Sequence, residues 1–188
     1  DHTLNGPIFV NGAEPGDVLE VRILSVEARL AIAGQGIAQR LFPGEFDAPV
    51  SRVHWIDLDA RTVEFAPNVV VPIRPFWGVV GVAPPADMGR VPSGAPGIFG
   101  GNMDNRDLGP GSILYLPVHN EGALLSIGDG HAVQGYGEIS GSAVETSLEG
   151  EIQVFLHKDR SLRWPRAETP THYMTMGLDP DLDEAASL

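Results

Sequence analysis

The chain has no cysteine among its 188 residues. That absence excludes disulfide cross-links, a thiolate nucleophile and thiolate metal ligands together. Basic charge is scarce too: 12 Lys and Arg stand against 25 Asp and Glu, giving a formal net charge of -13 and a pI near 4.7. The basic residues are scattered, so no cationic face exists for a phosphate backbone or an anionic membrane, and neither nucleic acid nor a membrane is expected as a partner. No apolar run is long enough to cross a bilayer, and no charged segment followed by an apolar stretch marks a signal peptide at the amino end. These absences lead us to expect a soluble, intracellular protein.

What is present suits a globular β protein. The chain is 43% hydrophobic and 20% charged, enough for one good core or two small ones in close contact. Its 23 Gly and 16 Pro are too many for a helical bundle and natural for short strands joined by tight turns. From Asp17 to Val26 the run DVLEVRILSV alternates, with Leu19, Val21 and Ile23 on one face and Glu20 and Arg22 on the other, which predicts a half-buried strand opening after the Glu14-Pro15-Gly16 turn. Further strands are expected at residues 62–65, 68–71, 76–82, 112–117, 123–127, 138–146 and 151–156, most of them bounded by Gly, Pro, Asn or Asp. The predicted fold class is therefore mainly β, with sandwich-like or barrel-like sheets and few short helices.

Residues 31–40, AIAGQGIAQR, carry two glycines in a helix-like pattern and read as a loop or a poor helix. Residues 83–97, APPADMGRVPSGAPG, read as a linker or as an ordered loop over a site, and supply the candidate sub-boundary within one compact region spanning 1–188. The closing GLDPDLDEAASL reads as an N-cap and first helical turn, and both ends read as cut from a longer chain.

Three segments concentrate the chemistry. In GGNMDNRD (100–107), glycines allow close backbone approach while Asn102 and Asp104 are presented from a turn; were that turn helical, Asp104 and Asp107 would share a face. In SIGDGHAVQGYGE (126–138), an apolar strand runs into a glycine-rich turn holding Asp129, His131 and Glu138. In SAVET (142–146), Glu145 sits in a short β-like run. Each residue alone has an ordinary reading, Asp129 as a turn cap and His131 as a satisfied histidine; their occurrence together points to a site. Asp104, Asp129, His131, Glu138 and Glu145 offer the oxygen-rich donor mixture that a hard or borderline divalent cation needs. Glu138 and Glu145 are seven apart, so on one uninterrupted strand they would face opposite ways; either Gly141 marks a bulge or only one of them enters the site. His54, His119 and His157 read as structural, and Trp55, Trp77 and Trp164 as core or interface anchors.

GGNMDNRDLGPGS, followed by LYLPVHNEGALLSIGDGHAVQGYGEISGSAVETSLEG, resembles the acetamidase/formamidase family, as does the opening HTLNGPIFVNGAEPGDVLEV; the likeness covers nearly all of residues 1–147. The chain departs from the family at Thr3 and Asn5 in the opening segment, and at Tyr136, where the family often carries an acidic residue between the glycines. The resemblance implies a mostly-β, cytoplasmic, homo-oligomeric (dimer or higher) hydrolase that binds a divalent metal, zinc or calcium, and takes small amides such as formamide or acetamide as substrates. Without cysteine there is no nitrilase-type nucleophile, and the only lysine, Lys158, lies in a charged turn that reads as exposed, so the nucleophile in such a reaction is expected to be water. On this reading the metal is held by some of His2, Asp104, His131 and Glu145; Glu138 or Asp129 is the general base; and Asn102 with backbone N–H groups stabilises the oxyanion. A metal enzyme of another reaction on a cupin-like barrel, or a non-catalytic β domain that binds a small ligand, would draw on a similar composition.

Overall fold

Alternation along the second strand sets the architecture: Leu19, Val21, Ile23 and Val26 turn inward and are fully buried, while Arg22 and Leu24 face out. The computed structural model describes residues 2–37, 42 and 44–188. Within them lie strands β1 (Leu4–Ile8), β2 (Val18–Ala28), β3 (Ile32–Ile37), β4 (Val50–Asp57), β5 (Thr62–Ala66), β6 (Val69–Pro72), β7 (Phe76–Gly81), β8 (Gly100–Asn102), β9 (Ile113–Pro117), β10 (Leu125–Val133), β11 (Val144–Glu145), β12 (Leu148–His157), β13 (Arg166–Glu168) and β14 (Tyr173–Thr175), with one short helix, α1 (Leu182–Ser187).

The strands form two antiparallel sheets. One has the order β6-β5-β4-β3-β11-β10-β7-β8, with β1 sharing the outer half of β10; the other has the order β12-β2-β9-β13-β14. The main core lies between them, with Leu19, Val21, Ile23, Leu114 and Leu116 from the smaller sheet meeting Trp77, Val80, Leu125 and Ile127 from the larger. A second, smaller cluster, including Ala33, Ile56, Val63, Ala132 and Val144, sits under the other end of the large sheet. The composition thus yields a mainly β sandwich with two separate core clusters.

Several elements differ from the sequence expectations. Residues 32–37 form β3 rather than a loop or poor helix, because Gly34 pairs with both Glu145 and Val53 and tertiary pairing overrides local propensity; Ala38 to Arg40 lie outside the described residues. β4, not anticipated, pairs along the whole of β3. β10 does not stop at Ile127 but continues through Gly-Asp-Gly-His to Val133, since β7 offers partners as far as Phe76. The expected strand 138–146 shrinks to Val144–Glu145, and Glu138 falls instead in a 3-10 turn over Tyr136–Glu138. Residues 83–97 close the hairpin between β7 and β8, whose register runs from Val79↔Asn102 to Gly81↔Gly100. The helix at the carboxyl end is capped by Asp181, which accepts from the Asp183 and Glu184 amides at 2.9 and 3.3 Å.

Candidate active site

The functional side chains converge where β10 runs alongside β7. His131 is 0% exposed, its ring edge-to-face with Phe76 at a centroid distance of 4.9 Å. Asp129 stands two residues earlier on the same strand and so projects to the same side, with Oδ2 at 3.2 Å from His131 Nε2. The ladder to β7 pairs Gly128 with Val79 and Gly130 with Trp77 but skips Asp129, whose φ is 59°. The flanking glycines are required by close approach: a Cβ on Gly128 would stand 2.4 Å from the Thr3 carbonyl oxygen, and one on Gly130 would stand 2.4 Å from that of Thr146.

The other carboxylates arrive from separate elements. Glu145 on β11 pairs directly with His131, and its Oε2 lies 3.3 Å from Nε2, while Oε1 is anchored by the Ala143 amide at 2.8 Å. Asp104 Oδ1 and Glu138 Oε1 each lie 3.9 Å from the same nitrogen. His2 turns Nε2 toward Asp129 at 3.9 Å, while its Nδ1 is held by Ser93 Oγ at 3.1 Å. Both glutamates therefore enter the site: Glu138 is not on the strand, and the chain reverses through Gly141, at φ 72°, before β11 begins. Asp107, in contrast, is exposed and points away, its amide bonded to Asn105 Oδ1 at 3.0 Å. Asn102 ends β8; its Nδ2 donates to the Gly94 carbonyl at 3.4 Å, and its buried Oδ1 has no hydrogen-bond partner among the described residues.

Gly78, which the sequence reading passed over, forms the floor. A Cβ there would lie 2.5 Å from Asp129 Oδ2, 2.6 Å from Asp104 Oδ1 and 2.8 Å from His131 Cε1, so the donors close over bare backbone. An isolated glycine inside the apolar run FWGVVG was the signal for such an approach. Three of the cluster's carboxylate residues have left-handed backbones, Asp104 (φ 44°), Asp129 (φ 59°) and Glu138 (φ 42°). Strain of this kind persists only where surrounding structure enforces it, and it concentrates at functional sites.

The electrostatics are strongly mutual. Burial pulls His131 down, but the adjoining Asp129 carboxylate, then the charges of Glu145 and Asp104, push it up to about 9. Burial, followed by the Asp104 charge, pushes Glu138 up to about 7. Asp104 and Glu145 are raised, chiefly by burial with Asp129's charge adding to it. Burial also acts upward on Asp129, yet the adjacent His131 and the charge of His2 outweigh it and hold that carboxylate low. Neither ring nitrogen of His131, nor Asp104 Oδ1, has a hydrogen-bond partner of acceptable geometry among the described residues. Asp104, Asp129 and His131, and likewise His131, Glu138 and Glu145, bring their ligand atoms within 4.8 Å of one another. Buried, unpaired donors, an excess of negative charge and a floor with no side chain fit a divalent cation in chemistry and in space.

The histidines outside this cluster are held by ordinary partners. His54 bonds Gln35 Oε1 at 3.2 Å and stacks on Phe65. His157 has an acidic partner in Glu20, its diagonal neighbour across the β2–β12 pair, at 2.6 Å. Lys158 lies at 2.7 Å from Glu14 and 2.9 Å from Asp17. Among the tryptophans, Trp77 is in the core, while Trp55 is 67% exposed.

Among the described residues no helix is long and apolar enough to cross a membrane. The fold matches the crystal structure of a predicted acetamidase/formamidase from the thermophile Thermoanaerobacter tengcongensis with a TM-score of 0.91 and 34% identity, over 98% of this chain and 60% of that one. It matches the acetamidase of Bacillus halodurans with a TM-score of 0.88 and 35% identity, over 96% of this chain and 60% of that one. The formamidase of Methylophilus methylotrophus is 28% identical over 216 aligned residues, 84% of this chain and 52% of that protein. The chain thus spans about half the length of this relative. The family model of the acetamidases and formamidases matches residues 1–94 and 90–176, and this chain belongs to the acetamidase/formamidase family.

Proposed function

We propose that this chain carries the catalytic centre of an amidohydrolase that cleaves small linear amides, formamide or acetamide, to a carboxylate and ammonia with the help of a divalent cation. The observation that supports this best is the convergence of Asp104, Asp129, Glu138 and Glu145 on the fully buried His131, over the bare backbone of Gly78. His131, Asp104, Asp129 and Glu145 would hold the cation, with His2 at the margin and oriented by Ser93. A central imidazole favours zinc over calcium, which prefers an all-oxygen shell. When bound, the cation would polarise the amide carbonyl and make water a better nucleophile near neutral pH.

The chain's own groups supply the rest. Glu138, which burial and the Asp104 charge raise to about 7 in the metal-free protein, is the proposed proton carrier, since it stands at the cluster, 3.9 Å from His131 Nε2, without being one of the proposed ligands. It takes a proton from the attacking water as the new C–O bond forms, and delivers it to the departing nitrogen as the C–N bond breaks, releasing ammonia. Asn102, at the end of β8 two residues before Asp104, is the proposed donor to the oxyanion; its bond to Gly94 is long at 3.4 Å and readily exchanged. A cytoplasmic location and a homo-oligomeric state, dimer or higher, belong to the same proposal. The exposed Val53, Trp55 and Val70 suit burial between copies.

The deciding experiment is ammonia release from formamide and acetamide by the purified full-length protein, before and after chelation and with zinc or calcium restored. Release that is lost to chelator and recovered with metal is the expected result. A folded, metal-loaded protein that releases no ammonia from any small amide would overturn the reading in favour of another metal-dependent reaction.

A further inference from the structure

Two of the strained carboxylates sit on different loops, Asp104 on the turn after β8 and Glu138 on the turn after β10, and something must hold the two turns in register. Three contacts join them. Gln134, buried at the end of β10, donates from Nε2 to the backbone carbonyl of Asp104 at 2.7 Å. Arg106, two residues past Asp104, donates from Nη1 to the Gln134 carbonyl at 3.2 Å. Its guanidinium also lies over the Tyr136 ring, 3.8 Å from the centroid, and Tyr136 is two residues before Glu138. The ring is 68% exposed, so it is not there to fill a core. Backbone bonds from Met103 and Asp104 to the Gly78 carbonyl, at 3.1 and 3.2 Å, fix the other side of the Asp104 turn but do not reach Glu138.

We propose that Gln134, Arg106 and Tyr136 form a latch that positions Asp104 and Glu138 relative to one another, with the Arg106–Tyr136 stack as its outer clasp. The inference rests on the reading of the cluster as a cation site, but not on amide hydrolysis. None of the three residues needs to touch metal or substrate. The latch acts by denying the two left-handed backbones a relaxed alternative, and so keeps the donors at one spacing. Arginine suits this role because its planar guanidinium stacks on a ring while still donating within the same plane.

The test compares full-length wild type with Tyr136→Phe, Tyr136→Leu, Arg106→Met and Gln134→Leu, reading Zn²⁺ affinity by chelator competition, the melting temperature and, where amide turnover exists, kcat. Residues that orient a metal site from behind its ligands typically change affinity by about 10–100-fold when removed. Gln134→Leu is expected to lose affinity within that range, and Arg106→Met and Tyr136→Leu about 10-fold, whereas Tyr136→Phe, which keeps the ring face, stays within about twofold of wild type. Because Tyr136 is exposed, its exchange leaves the core intact, and the melting temperatures of the two Tyr136 variants should coincide. Equal Zn²⁺ affinity for Tyr136→Leu and Tyr136→Phe would overturn the clasp, and a wild-type affinity for Gln134→Leu would overturn the latch. A wild type that binds Zn²⁺ tightly but cleaves no amide would sink the proposed function while leaving this inference standing.

Discussion

Replacing Gly78 by alanine tests whether the chemistry takes place in the space the donors enclose. The added methyl carbon would lie 2.5 Å from Asp129 Oδ2 and 2.6 Å from Asp104 Oδ1, and to restore a contact of about 3.4 Å each oxygen must retreat by about 0.8–0.9 Å. Productive geometry tolerates only about 0.5 Å, and a misplacement of about 1 Å can cost about 100-fold in rate. A 100-fold or greater fall in kcat/KM, with a matching loss of bound metal, is therefore expected. The fold should tolerate the change, because Gly78 lies in ordinary extended backbone and the displaced atoms are side-chain ends. Overpacking of about 1–3 kcal/mol, offset by about 0.5–1 kcal/mol for removing a glycine from a strand, leaves a net cost of about 0–2.5 kcal/mol, a fall in Tm of at most about 10 °C for a chain of this size. Gly34→Ala is the control: Gly34 pairs with Glu145, but its added carbon would meet nothing within 4 Å, so activity should stay at the wild-type value and Tm should rise by about 1–4 °C. The assays are ammonia release, metal content by elemental analysis and thermal unfolding by circular dichroism. A Gly78→Ala protein that keeps its metal and turns over within twofold of wild type would refute the placement of the site.

Three further outcomes follow from the same geometry. Glu138→Gln keeps the volume but removes the proton acceptor, and should lower kcat by about 100–10,000-fold while metal content holds; parallel loss of metal and rate would make Glu138 a ligand instead. His131 is raised to about 9 and is therefore protonated at pH 7 in the metal-free protein, so it must give up its proton to bind a cation; calorimetry in buffers of different ionisation enthalpy should find close to one proton or more released per Zn²⁺, and no release would contradict the assignment of His131 as a ligand. Glu20 is 4% exposed: burial raises its carboxyl, but His157 at 2.6 Å and Arg22 at 2.5 Å outweigh this and hold it below 4.5. A depressed carboxylate contributes stability that is fully present above its unfolded value and is lost as the pH falls through its folded value. Glu20→Gln should thus destabilise by about 1–3 kcal/mol at pH 7 and progressively less below pH 4.5; a constant gap in urea midpoints across that range would show that the charge is not what acts.

The strands that alternate or run apolar were legible, since Leu19, Val21 and Ile23 on β2 and the whole of β7 announce burial through composition alone. β3 and β4 were not. Ile32, Val53 and Trp55 all lie exposed on one side of that pair, which blurs the alternation, and the pairing of Gly34 with Glu145 is a long-range fact that no local window contains. β10 was cut short for a related reason: Gly-Asp-Gly has the composition of a turn, and only the closeness of Thr3 on one side and Thr146 on the other explains why glycine is needed in a continuing strand.

The cluster of acids and His131 was recognisable because residue types and motif order are carried by the sequence; its geometry was not. Parity arguments for Glu138 and Glu145 assumed one uninterrupted strand, whereas the left-handed turn at Glu138 and the reversal at Gly141 break that assumption. Aspartate and glutamate give no sign in sequence that they will adopt a positive φ, so Asp104, Asp129 and Glu138 look like ordinary surface acids until neighbours from four strands and two turns are in place. Those conformations are costly in isolation, and so are four carboxylates crowded round one imidazole. A chain that maintains both costs in one place needs something to offset them. The interstrand pairing of β7 with β10 and the latch behind the cluster offset the backbone part. The electrostatic part calls for positive charge at the centre, which His131 supplies when protonated and a divalent cation would supply more fully.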